Sequence, residues 1–214
     1  MLTHNFNASE KYLLKLGTQL VFHSHANLHT HLVGVHHLLG SWGCPEHVAL
    51  AGLFHSIYST DEFRDFALPL TEREQIKGLI GTQGERLVYL YSAATRESWR
   101  RSAVSAEKPQ LADRLSGGPL EVTEQEFTEL LWLWLANNLD IKAREMRANG
   151  VGVLKRANFW HQVAERLGGE AVVSWQQVYG RHVGRKSDFM LEVKWHASRA
   201  KRKLTSRVKK LFKG

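Results

Sequence analysis

The chain has 214 residues, of which 43% are hydrophobic, 17 are glycine and one, Cys44, is cysteine. This composition excludes disorder throughout and an internal disulfide framework, and it suits one well-buried domain with or without an appendage. The net charge of +8 comes from the C-terminal part, because residues 181–214 hold 12 Lys and Arg against two acidic residues, whereas residues 1–180 hold 17 basic and 19 acidic residues.

Neither a secretory signal nor a membrane-spanning segment is apparent in the sequence. The first six residues lack a basic region followed by an apolar run. The longest apolar run, residues 130–136, is far shorter than the ~18 residues that a spanning helix requires. We therefore expect a cytoplasmic location, or one peripheral to a membrane.

Apolar residues recur at intervals of three and four along most of the chain, which is typical of helices. The spacing predicts helices over residues 9–23, 28–42 and 45–57. Gly43 is expected to end the second helix, and Pro45 to open the third within its first turn. Because the third helix is apolar on most sides, we expect it to be the central one.

Two Thr-x-x-Glu sequences predict capped helix starts further along the chain. Thr71 precedes a helix to about residue 80, and Gly81 separates it from another over residues 85–94. Thr123 precedes a long helix that is expected to end near residue 148.

Proline and glycine make residues 103–120 the longest predicted connection. A weaker helix is expected over residues 155–168, and a linker over 180–186. The predicted fold is an all-α helical bundle over residues 1–180 with an appendage at 187–214.

Seven of the 12 histidines lie between residues 23 and 47, and one helix cannot point all of them inward. His31 aligns with the apolar positions of its helix. His36 and His37 lie about 140° and 120° away from it, at ~100° per residue. His31 is therefore the histidine of this stretch that we expect in the interior.

A second interior histidine, His55, lies in the apolar segment 51–58, 24 residues after His31. A buried imidazole needs a hydrogen bond, a charged partner or a metal, because an unsatisfied buried polar group costs about 1–3 kcal/mol. We expect the two rings to share one interior space between adjacent helices.

Three motifs carry a resemblance to a known family: His31-Leu32-Val33-Gly34 with Trp42-Gly43, then Ala51-Gly52-Leu53-Phe54-His55-Ser56-Ile57-Tyr58, and last Leu79-Ile80-Gly81 followed by Glu85. Over about residues 25–95 the chain resembles the HD-domain superfamily of metal-dependent enzymes and, more specifically, an HD-like family of bacteria, fungi and plants. The resemblance implies an HD-domain-like helical bundle.

HD enzymes hold a divalent metal with a His, a His-Asp pair and a distant Asp, and the metal activates water. The resemblance thus implies His31, His55 and Asp140 as ligands of one divalent ion, whether Mn, Fe, Mg or Zn. Ser56 stands where the pair has its Asp. A hydroxyl is a poorer ligand than a carboxylate and cannot bridge two metals, so the site should be mononuclear, weak or lost.

Asp140 has a second interpretation. It follows the apolar run of its helix, and polar residues at the end of such a run often only emerge into water or cap the helix. Asn137 and Asn138 are alternative amide groups for the same site.

The resemblance favours hydrolysis of a phosphate ester or a related small substrate. The di-iron oxygenases that resemble this fold need two further histidines between the central pair and the last Asp. No histidine lies between Ser56 and Asn158, so a di-iron oxygenase is disfavoured. A mononuclear non-haem iron oxygenase is one alternative. The other is a catalytically degenerate binding module that acts through its basic tail, which Ser56 favours.

Asp61, Glu62 and Glu85 are candidate general bases for an attacking water, although each also suits a capping or surface role. Tyr58 is a candidate substrate-binding residue or a core residue. Guanidinium groups pair with phosphate through two parallel hydrogen bonds. The arginines available for this are Arg73, Arg96, Arg100 and Arg101.

Residues 190–213 combine regularly spaced apolar residues with nine basic ones, which predicts a basic amphipathic helix. Such a helix can pack on the domain, lie on an anionic membrane surface or contact nucleic-acid phosphates. The sequence leaves these three roles open.

Overall fold

The computed structural model describes residues 2–149 and 156–180. Within them the fold is predominantly α-helical, which confirms the predicted class, and no helix is long and apolar enough to cross a membrane. In chain order the elements are α1 (Leu2–Lys15), β1 (Phe22–His23), β2 (Ala26–Asn27), α2 (Leu28–Ser41), α3 (Glu46–Phe54), α4 (Arg73–Ala93), α5 (Arg96–Ala103), β3 (Leu111–Ala112), β4 (Pro119–Leu120), α6 (Glu124–Asn149), α7 (Ala157–Leu167) and α8 (Gly169–Tyr179). The predicted helix at 190–213 lies outside the described residues.

Helix α3 is the centre of the bundle, as predicted. It packs against α1, α2, α4 and α6, and every residue from Val48 to Phe54 is buried. A Cβ atom added at Gly52 would lie 2.6 Å from a methyl group of Leu39, so this glycine allows α2 and α3 to approach closely. The two helices that carry His31 and His55 are thereby held in direct contact.

The boundaries of α2 follow from local chemistry. The Asn27 side chain caps its start, because Asn27 Oδ1 accepts the Thr30 backbone N–H at 2.8 Å. Gly43, in the left-handed region at φ +71°, turns the chain away after the helix. Pro45 lies at the N-cap of α3 rather than inside its first turn.

Helix α1 differs from the helix predicted over residues 9–23. It ends at Lys15, and Gly17, at φ +79°, starts a 3₁₀ turn over Thr18–Leu20. The chain then forms a short antiparallel hairpin, β1–β2, whose turn residues Ser24 and His25 are left-handed. As a result Leu20, predicted on an apolar helical face, is 84% exposed.

The two Thr-x-x-Glu sequences have different outcomes. Thr123 forms the full capping box, since its Oγ1 accepts the Glu126 N–H at 3.1 Å and Glu126 Oε2 accepts the Thr123 N–H at 2.8 Å. Thr71 instead lies in a 3₁₀ turn, Leu70–Glu72, and no side chain caps the start of α4. The backbone at Gly81 is not helical, with φ +75° and ψ 164°, so α4 consists of two helical segments that meet at the predicted break.

Helices α5 and α8 were not predicted from the sequence. The first is mostly polar, and only one narrow face that includes Trp99 is buried. The second begins directly after the left-handed Gly168, where the sequence predicts a helix end. The predicted connection 103–120 contains the antiparallel pair β3–β4.

Candidate functional site

His31, in the first turns of α2, and His55, at the C-terminal end of α3, meet in the interior. Their Nε2 atoms are 3.3 Å apart, and the rings are nearly perpendicular at 82°. His31 is 0% exposed and His55 is 2% exposed. The prediction that the two rings share one interior space is confirmed.

The other nitrogen of each ring fixes its tautomer. His55 Nδ1 lies 2.8 Å from the Gly52 carbonyl oxygen, which can only accept, so this nitrogen carries the proton. His31 Nδ1 lies 2.7 Å from Asp140 Oδ2, and it donates in the same way. In the neutral rings both Nε2 atoms therefore present lone pairs to each other, an arrangement that calls for a cation or a proton between them.

Asn137, on α6, brings a further acceptor to the same point. Its Oδ1 atom lies 3.0 Å from His31 Nε2. The neighbouring Asn138, the other amide considered from the sequence, instead accepts a hydrogen bond from the Tyr179 hydroxyl at 2.8 Å. Of the two amides, the structure brings Asn137 to the histidine pair.

Asp140 contacts His31 on the ring nitrogen opposite His55. Its carboxylate also accepts two hydrogen bonds from Arg144, from Nε at 2.8 Å and from Nη2 at 3.0 Å. Burial acts to raise the pKa of Asp140, but the hydrogen bonds from His31 and Arg144 outweigh it and lower that pKa. The placement differs from the predicted role of direct metal ligand: Asp140 orients His31 from the far side, as carboxylates behind metal-binding histidines do.

Gly34 makes the position of Asp140 feasible. A Cβ atom added at Gly34 would collide with Asp140 Oδ1 and lie 2.8 Å from Arg144 Nη2. The glycine that follows His31 by three residues in the sequence motif therefore leaves space for the carboxylate that holds His31.

Burial lowers the pKa of two histidines at the site, His55 and His23. It lowers the pKa of His55 to about 3, with a further contribution from His31. It also lowers the pKa of His23, whose ring lies 4.6 Å from that of His31, to about 4. Neutral imidazoles keep their lone pairs available, without competition from protons near pH 7.

A cavity of about 310 Å³ opens beside His55, and we call it the His55 cavity. Its walls include polar groups from the β1–β2 hairpin, the loop after α3, α5 and α6. The Ser56 hydroxyl in this wall is buried and has no hydrogen-bond partner among the described residues. The polar residues that line it include His23, His55, Ser56, Glu62, Arg96 and Asn137.

Among the predicted bases, Glu62 lines the His55 cavity. The Asp61 carboxylate lies nearby, where it accepts the Arg96 backbone N–H at 3.2 Å. Of the predicted substrate-binding residues, Arg96 also lines the cavity.

Glu85, Arg73 and Tyr58 form a separate cluster. Glu85 is completely buried and accepts hydrogen bonds from Arg73 Nε and Nη2, at 2.6 and 2.9 Å. It also accepts the Tyr58 hydroxyl at 3.2 Å, and burial followed by the Glu85 charge raises the pKa of Tyr58. None of the three lines the His55 cavity, so the placement gives them a role in joining α4 to the preceding loop.

Two contributors were missed from the sequence. Arg144 lies four residues after Asp140, a spacing that indicates a helical ion pair and could have revealed it. His23 reaches the site through the hairpin, and the helical pattern predicted across residues 9–23 gave no sign of that turn.

Among residues 2–149 and 156–180, no group of three or more His, Cys, Asp and Glu side chains converges as a metal-ion site. The possible ligand groups that do converge are two imidazoles and one amide oxygen.

A family model described as a domain of unknown function (DUF6817) matches residues 12–96, a segment that contains His31 and His55 but not Asn137 or Asp140. Neither a curated protein nor a solved structure matches the chain.

Proposed function

We propose that this protein is a metal-dependent hydrolase of a phosphate ester or a related small substrate, with His31 and His55 as ligands of one divalent ion. The observation that carries the proposal is the convergence of two buried Nε2 atoms at 3.3 Å. Without a cation or a shared proton, two lone pairs at this distance repel each other.

The residues present fit such an ion. Two nitrogens bound at about 2.0–2.1 Å to one tetrahedral ion lie roughly 3.3–3.4 Å apart, which agrees with the observed separation. Imidazole suits Zn and Fe better than Mg and Mn, which prefer oxygen ligands. Asn137 Oδ1, 3.0 Å from His31 Nε2, offers an oxygen ligand on the Nε2 side of the pair.

A bound divalent ion would supply Lewis-acid activation of water, the chemistry that phosphate-ester hydrolysis needs. The chain itself performs the remaining tasks. Asp140 holds the His31 proton on Nδ1 and so keeps Nε2 free to bind. The His55 cavity admits a small substrate, and the Arg96 guanidinium in its wall can pair with an anionic group.

A catalytically degenerate binding module is the second candidate, and a specific observation favours it. Among residues 2–149 and 156–180, no carboxylate joins the two histidines in a group that could hold a metal ion. Asp140 contacts Nδ1 of His31, on the opposite side of the ring, and Ser56 replaces the Asp of the related motif. A proton held between the two rings would then satisfy the lone pairs without any metal.

Metal content separates the two candidates. The full-length protein, purified without added metal, is expected to hold about one divalent ion per chain, and His31→Ala and His55→Ala are expected to hold almost none. His37→Ala is the matched control, because His37 is exposed on the same helix as His31. Circular dichroism checks that each variant is folded. Unchanged stoichiometry in folded His31 and His55 variants would reject the ligand assignment.

Activity provides the second measurement. A chromogenic phosphomonoester should be hydrolysed by the metal-loaded wild type and not by His55→Ala. If the wild-type protein is purified without bound metal and does not hydrolyse the phosphomonoester when metal is added, the binding module is favoured.

A further inference from the structure

Glu62 lies at the wall of the His55 cavity between two arginines of α5. Its Oε1 accepts a hydrogen bond from Arg100 Nη2 at 2.8 Å, and its Oε2 lies 3.2 Å from Arg96 Nη2. The two arginine side chains are only 13% and 26% exposed, whereas the Glu62 side chain is 55% exposed. The cations thus form the buried part of this group, and the carboxylate forms its accessible part.

The cations outnumber the carboxylate that pairs them. Arg96 and Arg100 are four residues apart on α5, so both point toward one place. Burial lowers the pKa of Arg100, and the nearby positive charge of Arg156 lowers it further. Arg100 Nε is buried with no hydrogen-bond partner among the described residues. Asp61 accepts only the backbone N–H of Arg96, and its carboxylate lies 3.9 Å from Arg64.

Glu62 reaches the arginines from a loop, whereas the arginines are fixed on a helix. Residues 59–69 connect α3 to the 3₁₀ turn before α4 without regular structure. The Thr60 hydroxyl holds this loop by accepting the backbone N–H groups of Glu62 and Phe63, at 3.3 and 3.0 Å. Trp99, 1% exposed, anchors α5 in the core. Moving Glu62 away therefore disturbs little, but moving the arginines disturbs the core.

We propose that Arg96 and Arg100 form a binding site for an oxyanion, and that Glu62 occupies this site as an internal competitor until the anion displaces it. The inference rests on the proposed function, because it assigns the site to the phosphate or carboxylate group of that substrate. A tetrahedral or planar oxyanion offers the same two oxygens that Glu62 now presents to the two guanidinium groups. Glu62 is then a specificity-determining residue rather than the general base considered from the sequence.

The test is a calorimetric titration of inorganic phosphate into the full-length protein after removal of metal with a chelator. Glu62→Gln keeps the shape of the side chain but removes its charge, and it should tighten phosphate binding about tenfold relative to wild type. Glu97→Gln removes one charge from an exposed position of the same helix, and it should change the affinity less than twofold. Adding Arg100→Gln to Glu62→Gln should abolish the gain.

Displacement has its own measurement. Saturating phosphate should increase amide hydrogen exchange of residues 60–63 in the wild type, because the loop loses its contact with α5. Unchanged exchange would overturn the competitor role. Equal phosphate affinities in wild type, Glu62→Gln and Glu97→Gln would overturn the site itself. If Glu62→Gln does not fold, Arg100→Gln alone should weaken phosphate binding at least tenfold, and an unchanged affinity would reject the site.

The test of the anion site distinguishes its failure from that of the metal site. In a His55→Ala background the tenfold gain from Glu62→Gln should persist, since no histidine contacts the Arg96–Arg100 pair in the described structure. Loss of the gain in that background would contradict an independent anion site.

Discussion

At the scale of single residues, the orientation of His31 depends on three groups from two helices. Asp140 and Arg144 lie one turn apart on α6, and Arg144 also donates to the Thr30 carbonyl of α2 at 2.9 Å. The ion pair therefore fixes both the His31 ring and the start of α2. The absence of a side chain at Gly34 gives the pair its space.

Gly34→Ala should consequently act on both stability and metal binding. The added methyl group has to displace the Asp140 carboxylate, which should lower the free energy of unfolding by about 1–3 kcal/mol and reduce the metal content. Urea denaturation of both variants measures the first effect. Gly40→Ala is the control, because nothing lies within 4 Å of its added Cβ on the same helix, so it should stabilise by about 0.5–1 kcal/mol. Equal denaturation midpoints for the two variants would contradict this account.

The interior histidines also predict how stability depends on pH. Burial lowers the pKa of His55 to about 3 and that of His23 to about 4, below the usual value of about 6.5. Between about pH 4 and 6.5 the unfolded chain then binds more protons than the folded one, so the free energy of unfolding falls as the solution is acidified. Each such histidine contributes at most about 1.4 kcal/mol per pH unit.

One variant tests whether His23 contributes to this pH dependence of stability. In chelator-treated protein, thermal denaturation at pH 7, 6 and 5 should show a decreasing midpoint. His23→Gln, which cannot be protonated in this range, should reduce the decrease. His23 is the better position than His55 because it lies on the hairpin, at the edge of the site. If the denaturation midpoint decreases equally in His23→Gln and in wild type, His23 does not contribute to the pH dependence.

At the scale of helices and strands, the two Thr-x-x-Glu sequences make a matched pair. Thr123→Ala removes the capping hydrogen bond to the Glu126 N–H and should lower the free energy of unfolding by about 0.5–2 kcal/mol. Thr71→Ala removes no capping bond from α4 and should change it by less than about 0.5 kcal/mol. Urea denaturation curves of the two variants test this, and a loss at Thr71 equal to or larger than that at Thr123 would contradict the assignment of the working cap to Thr123.

Where local chemistry decides, the sequence was sufficient. Gly43 was correctly expected to end α2, and the all-round apolar pattern identified α3 as the central helix. Helices α5 and α8 are short, and the burial of side chains such as Trp99 and Trp175 stabilises them. Helix α5 also has a local signal that was missed, since the Thr95 side chain caps its start by accepting the Ser98 N–H. The hairpin that delivers His23 was hidden because Leu16 and Leu20 happen to match helical spacing across Gly17.

The candidate site was also predictable only in part. The meeting of His31 and His55 was predictable, because α2 and α3 are consecutive and their apolar faces must pack together. The side of the His31 ring that Asp140 contacts was not predictable, since a carboxylate near a histidine can either bind a metal or orient the ring. Chain order cannot distinguish these roles, whereas the 2.7 Å contact to His31 Nδ1 does.

At the scale of the whole molecule, the site is assembled from distant parts of the chain. The histidines come from the segment that matches the family model, and Asn137 and Asp140 come from α6, which packs on α2 and α3. Helices α7 and α8 in turn cover α6. The matched segment alone therefore supplies two of the converging donors, and the rest of the bundle completes and orients the site.

Most of the net positive charge lies in the C-terminal residues, which suits binding to an anionic surface. Residues 187–214 hold nine basic and two acidic residues, so their removal would take the net charge from +8 to +1. We propose an anionic membrane surface as the partner, because each cation near such a surface contributes about 1 kcal/mol and apolar residues are interleaved with the basic ones.

Full-length protein should sediment with phosphatidylserine-containing vesicles at low salt but not with neutral ones. Deletion of residues 187–214 should abolish this binding, and so should 1 M salt, where the screening length falls to about 3 Å. The deletion variant should keep the metal content of the wild type, because the histidine pair and its partners all precede residue 145. Equal vesicle binding with and without the tail would reject the membrane partner. A gel shift with DNA but no vesicle binding would assign the tail to nucleic acid instead.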